Sequence, residues 1–180
     1  MSPTRPLRLL AISGSLRAKS ANTSVLLALQ AQASAEVTVT LFRDLAELPH
    51  FNPDLDVAPV PAAVTAWRKA VESADALVFS SPEYAHGVPG SLKNALDWLV
   101  SHEAFSNKPV AIINARPGAE HALASLRETL TVMNARLLDA ACVTLPLTSN
   151  ALDAPALLLL PAVRGQLEAV LVALRGLAEH

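Results

Sequence analysis

Five short apolar runs, each separated from the next by a stretch with helical spacing, leave this 180-residue chain few ways to fold. The runs are Leu7–Ile12 (LRLLAI), Glu36–Phe42 (EVTVTLF), Ala76–Phe79 (ALVF), Val110–Ile113 (VAII) and a last one within Leu137–Leu145. Helical periodicity marks Asn22–Ala33 (Val25, Leu26, Leu29) and Val64–Val71. It returns in a helix begun by Pro89 with the stripe Leu92, Ala95, Leu96 and Leu99, and in one carrying Leu123, Leu126, Leu130 and Met133. A closing helix spans Pro161–Leu177. Strands joined by long helical crossovers pair in parallel, and such crossovers are right-handed. The expected fold is therefore α/β: a doubly wound, five-stranded parallel sheet with helices on both faces. Ligands of such sheets bind outside the carboxyl ends of the strands, where the chain order reverses, so the loops after strands one, three and four carry the information. The Pro-rich stretch His50–Pro61 reads as a surface loop, and with no repeat or linker residues 1–180 read as one soluble domain.

Several functions drop out on charge and spacing. The net charge is only −2 and the 14 basic residues are scattered, which removes the electrostatic case for nucleic acid. The single cysteine, Cys142, falls in the last apolar run and reads as a buried, inert strand thiol; no disulfide within the chain is possible. Basic residues precede the first apolar run, but that run ends at Gly14, too short for a signal segment or a membrane span, and a cytoplasmic location is expected. His86, His102, Glu103 and His121 show no metal-ligand spacing, and Ser13 and Ser15 do not stand in GxSxG.

The loop after strand one, Gly14 to Ser24, gathers hydroxyls, an amide and the cations Arg17 and Lys19 at the turn that opens a helix. Free backbone N–H groups and the positive end of the helix dipole favour an anion there, and a guanidinium adds a planar fork. A phosphate monoester suits it. Neither GxxxxGK[ST] nor GxGxxG is present, so a triphosphate or a dinucleotide pyrophosphate is not the natural occupant. The plainer alternative is a polar turn with Asn22 as N-cap. The loop after strand three, Pro82 to Gly90, is stiffened by Pro and opened by Gly, and can aim backbone groups at the edge of a flat heterocycle. Within it Glu83 is either a solvated or helix-facing carboxylate or a site residue, and Tyr84 either a ring partner or a subunit contact.

At these two loops the chain closely resembles the NADPH-dependent FMN reductase family of flavodoxin-like proteins. GSLRxxSxN is matched by Gly14 to Asn22, and PEYxxxxPGxLKNALDWL by Pro82 to Leu99, including Lys93, Asn94, Asp97 and Trp98. The resemblance runs from Leu7 to about Leu145. It implies the flavodoxin-like strand order 2-1-3-4-5, FMN as cofactor, NADPH or NADH as electron donor and a small-molecule electron acceptor such as a quinone. It places the FMN phosphate on Ser15, Arg17, Ser20, Asn22 and Thr23, and the isoalloxazine on Pro82, Glu83, Tyr84 and His86. Two departures stand out: Ala85-His86 where many relatives carry Asn followed by another residue, and Asn114 to His121 where a Ser- and Gly-rich loop is usual. Arg116 in that last loop is a candidate for the flavin or the nicotinamide phosphate, against the plainer reading of an exposed arginine. Relatives assemble as homodimers or homotetramers, and the helix Leu92 to Val100 with Trp98 is the expected shared element; the alternative is that Leu92, Leu96 and Leu99 face the chain's own core while Trp98 is half-exposed. The flavin carries the chemistry, so no catalytic side chain is expected. The rival readings are a flavodoxin-like electron carrier that does not oxidise nicotinamide and a non-enzymatic regulatory or ligand-sensing domain on the same fold.

Overall fold

The computed structural model describes residues 5–149 and 151–179. Its strands are β1 (Leu7–Ser13), β2 (Val37–Phe42), β3 (Ala76–Ser80), β4 (Pro109–Asn114), β5 (Arg136–Leu137) and β6 (Val143–Thr144). The helices are α1 (Ala21–Gln32), α2 (Ala62–Ser73), α3 (Gly90–Asp97), α4 (Glu120–Val132), α5 (Ala154–Leu158) and α6 (Pro161–Arg175). All strand pairings are parallel, in the order β2-β1-β3-β4-β5, with β6 also alongside β4. That is the flavodoxin-like order the resemblance implies.

The strand sequences follow from burial. In β1, Leu7, Leu9 and Ala11 pack with α1, α5 and α6 on one face of the sheet, and Leu10 and Ile12 pack with α2, α3 and α4 on the other. A strand covered on both faces has no polar side, which explains the unbroken LLAI. β2 lies at the edge and alternates, with Val37 and Val39 buried and Thr38 and Thr40 exposed.

The last apolar run is not one strand. β5 pairs with Pro109 and Val110, a 3-10 turn at Asp139–Ala141 leaves the ladder, and β6 rejoins it opposite Ile113 and Asn114. The Asp-Ala-Ala stretch favours strand poorly, and the detour buries Ala141 instead. Cys142 consequently lies between the turn and β6, half-buried, and not as a fully buried strand thiol. A further helix, α5, also escaped the periodicity reading because it spans only 5 residues; the Asp153 side chain accepts from Ala156 N–H at 3.0 Å, with Pro in the first turn.

The helix expected to be shared between subunits serves this chain's own core. Trp98, Leu92, Leu96 and Leu99 are fully buried within the chain, so Trp98 is neither half-exposed nor available to a partner. Trp98 Nε1 donates to Pro49 O at 2.8 Å, and Asn94 receives from Phe51 N–H at 2.7 Å and donates to Pro49 O at 3.0 Å. The KNALDW segment thereby pins the Pro-rich connection. Arg68 completes the clamp: it reaches Asp56 at 2.7 and 3.0 Å and donates to Trp98 O at 2.9 and 2.7 Å, satisfying a carbonyl where α3 ends.

Because the Arg68 and Asp56 side chains are only 16% and 12% exposed, removing one partner strands the other. We expect Arg68→Ala to lower unfolding free energy by about 2–3 kcal/mol in urea titrations. Arg68 and the Ser101 hydroxyl hold the Asp56 carboxyl below the usual carboxylate range. Its contribution is then complete above the unfolded carboxylate pKa, about 4, and fades as pH falls through the lower folded value. Asp56→Asn is expected to flatten that acid limb.

Candidate functional site

β1 and β3 are neighbours whose crossovers leave to opposite faces, and their ends define a crevice. Gly14 extends the β1–β3 ladder by one rung, its N–H donating to Ser80 O at 2.8 Å. A Cβ on Gly14 would meet Ser81 Oγ at 2.5 Å and Leu92 Cδ2 at 3.1 Å, so only glycine lets the two loops lie this close. Beyond this point opens a cleft of about 390 Å³.

One wall is the loop after β1. Ser20, not Asn22, caps α1, accepting from Thr23 N–H at 3.5 Å. Asn22 is inside the first turn, buried, and accepts from Ser80 Oγ at 2.9 Å, which ties the phosphate-type loop to β3. A single hydrogen bond of 2.8 Å joins the Ser13 and Thr23 hydroxyls. Ser15 and Ser20 are different. Both are buried at the cleft wall, both accept only from backbone N–H, and among the described residues their hydroxyl protons have no acceptor. The amides of Ala21 and Asn22, at the open start of α1, likewise have no acceptor among the described residues. Arg17 lines the same wall and has no carboxylate partner among the described residues. This donor set is what a phosphate monoester requires, and Glu83, the acid in the lining of the same cleft, is engaged by Ala122 N–H.

The second wall is the loop after β3. Tyr84 and Gly87 exchange N–H···O bonds at 3.1 and 2.9 Å around Ala85 and His86, both at positive φ (48° and 60°), a two-residue turn normally made by Asn-Gly. An asparagine at position 85 would tolerate the left-handed region better than Ala does. Glu83 Oε2 accepts from Ala122 N–H at 2.9 Å and so caps α4, whose own N-cap, Ala119, has no side chain to do it. It joins the second wall to the third, the loop after β4, and accounts for the helix-facing reading of this carboxylate. His86 stacks on His121 with centroids 4.2 Å apart, across the same junction.

Of the residues singled out from sequence, Ser15, Arg17, Ser20, Asn22, Pro82, Glu83, Tyr84 and Arg116 line one cleft. Thr23 and His86 do not: Thr23 faces Ser13, and His86 faces His121. Ser81 and Asn114 line the cleft as well and were missed. Their signal was positional, since each stands at the carboxyl end of β3 or β4 where an apolar strand turns polar. No group of three or more metal-ligating side chains occurs among the described residues.

Two substitutions test the two walls. Ala85→Asn is expected to raise unfolding free energy by about 0.5–1 kcal/mol in thermal melts, by relieving a left-handed Ala. Glu83→Ala is expected to cost about 1 kcal/mol by uncapping α4, and to accelerate amide exchange at Ala122.

Comparison with known proteins agrees with this geometry. Residues 7–149 match the profile of the family described as NADPH-dependent FMN reductase. The chain is 35% identical over 158 residues to an NAD(P)H-dependent FMN reductase of Pseudomonas aeruginosa, covering 85% of each chain. It is 34% identical over 111 residues to a quinone reductase of Pseudomonas putida, covering 60% of this chain and 59% of that one. In fold it is similar to FerB, a flavoenzyme NAD(P)H:(acceptor) oxidoreductase of Paracoccus denitrificans, with a TM-score of 0.74 at 24% identity over 94% of this chain and 98% of the other.

Proposed function

The chain belongs to the NADPH-dependent FMN reductase family, and from that premise we propose that it is an NAD(P)H-dependent FMN oxidoreductase. It works as one FMN-binding domain that passes electrons from NADPH or NADH to a small-molecule acceptor of the quinone type. The observation that carries this is the donor set of the first wall: hydroxyl protons on Ser15 and Ser20 and amides on Ala21 and Asn22 that have no acceptor among the described residues, and the Arg17 fork. FMN, when bound, supplies the two-electron chemistry, taking electrons from the nicotinamide and yielding them to the acceptor.

The residues here bind, orient and exclude. The donors of the first wall hold the phosphate; Asn22, fixed by Ser80, keeps that wall in register with β3. Pro82 and Tyr84 border the space for the ring system, Tyr84 remaining 51% exposed at the mouth, where its face is free for an incoming ring. Glu83 is spoken for by Ala122 and acts as a positioning residue that keeps the second and third walls together. Arg116, on the third wall without a carboxylate partner among the described residues, sets a positive field over the cleft and favours the electron-rich reduced cofactor. No titrating side chain is required, so the cleft needs only to align two flat rings in contact.

The mouth stays open to small acceptors, and no helix among the described residues is long and apolar enough to cross a membrane. Action in the cytoplasm, as a homodimer or homotetramer, accords with the family but not with pairing through Trp98, which the core consumes. A carrier that docks on a protein donor would depend on a strongly charged face, and a net charge of −2 offers little for that.

Anaerobic mixing of the purified protein with FMN and NADPH is the direct test. The visible flavin band should bleach within the enzyme's turnover time, and a band that persists with both nicotinamides refutes the reductase reading. Arg17→Ala is expected to weaken FMN binding roughly ten- to hundredfold by fluorescence titration, the usual loss for one charge-assisted phosphate contact.

A further inference from the structure

Of the arginines, Arg17, Arg43, Arg116, Arg136 and Arg164 form no ion pair among the described residues. Position separates them: only Arg17 and Arg116 line the cleft. Arg17 belongs to the wall that receives the phosphate. Arg116 stands on the third wall, exposed, just beyond the carboxyl end of β4. Glu83 is the one acid among the lining residues, and Ala122 N–H engages it at 2.9 Å. Glu120, the next acid along the chain from Arg116, is not among them. Tyr84 lines the second wall and keeps 51% of its surface exposed. Two ties hold these walls together: the Glu83 cap on α4 and the stack of His86 on His121, whose rings are 18° from parallel. An exposed aromatic ring and a guanidinium thus border one opening, on loops that are fastened to each other.

We infer that the acceptor selected at this mouth is a flat aromatic ring bearing a sulfonate or carboxylate, with Tyr84 taking the ring and Arg116 the anionic group. The inference rests on the reductase reading above and names the acceptor class for that same site. The donors of the first wall match the phosphate, so the Arg116 charge, on a different loop, is left over. An uncharged quinone draws little from an exposed guanidinium, whereas a sulfonate or carboxylate accepts two parallel N–H bonds from it. The Tyr84 ring offers stacked or edge contact to an aromatic acceptor whatever its charge, so it gives affinity and Arg116 gives discrimination. The anionic group is a handle only: it is bound at the rim, and the two-electron step at the ring leaves it unchanged. A cationic rim also draws anions inward before contact, an effect that salt suppresses.

The test is a binding measurement on oxidised, FMN-loaded protein. Naphthalene-2-sulfonate and its uncharged counterpart naphthalene-2-sulfonamide, neither of which turns over, are titrated by calorimetry. The sulfonate should bind about fivefold more tightly in dilute buffer, the upper range for one exposed charge pair, and that margin should shrink at high salt. Arg116→Gln should bring the two affinities to within roughly twofold of each other. Arg136→Gln is the charge control: this exposed arginine opens β5 beside Pro109, at the far end of the sheet from the cleft, and its loss should leave the margin in place. Tyr84→Ala should weaken both ligands alike, by about threefold or more. A margin below roughly threefold in the unaltered protein, a margin that survives Arg116→Gln, or a Tyr84→Ala variant with undiminished affinities overturns the inference while leaving the flavin reading intact. Failure of the protein to hold FMN removes both.

Discussion

Everything at the site depends on how closely two parallel strands approach at their carboxyl ends. The N–H of Gly14 bonds to Ser80 O, and the missing Cβ leaves Ser81 and Leu92 where a side chain would have to be. With β1 and β3 joined that far, the loops beyond them diverge to opposite faces, one into α1 and one toward α3, and a crevice opens between. The Asn22–Ser80 hydrogen bond then fixes the first turn of α1 against β3. The first turn, with its free amides, lines the cleft because the strand pairing places the helix start there. Dipole, hydroxyls and guanidinium act together only while that register holds.

The polar groups divide into those spent on structure and those left for a ligand. Ser13 and Thr23 share a hydrogen bond, Glu83 caps α4, and Asn94 and Trp98 hold the Pro-rich connection. Ser15, Ser20, Arg17 and Arg116 remain with unused capacity, and all of them line the cleft. A residue in a family signature is therefore not by that fact a ligand contact. The KNALDW stretch is a core element whose tryptophan has no exposed surface. The strained turn at Ala85-His86 belongs to the same logic: both residues occupy the left-handed region, and the stacking of His86 on His121 together with the Glu83 cap holds the second wall in that conformation.

Much of this was legible in one dimension. The apolar runs identified the central strands because β1, β3 and β4 are covered on both faces, and the helical stripes identified α1 to α4 and α6. The two signature loops named most of the cleft lining, since a phosphate-binding turn needs hydroxyls and a cation near a helix start wherever it occurs. The split of the last strand was not legible, because Leu137–Leu145 is mostly apolar and periodicity carries no information about a detour that leaves and rejoins the same neighbour.

The sequence alone determined the layered architecture and the placing of a hydroxyl-rich, cationic loop at the start of the first helix, because these follow from local periodicity and residue type. Which hydroxyls stay free, which carboxylate becomes a cap and which tryptophan vanishes into the core were decided only by tertiary structure. The partners that settle them, Ser80 for Asn22, Ala122 for Glu83 and Pro49 for Trp98, lie 58, 39 and 49 residues away along the chain. No local pattern encodes a donor's distant acceptor, so whether a polar side chain is consumed or available is known only once the sheet has brought its ends together.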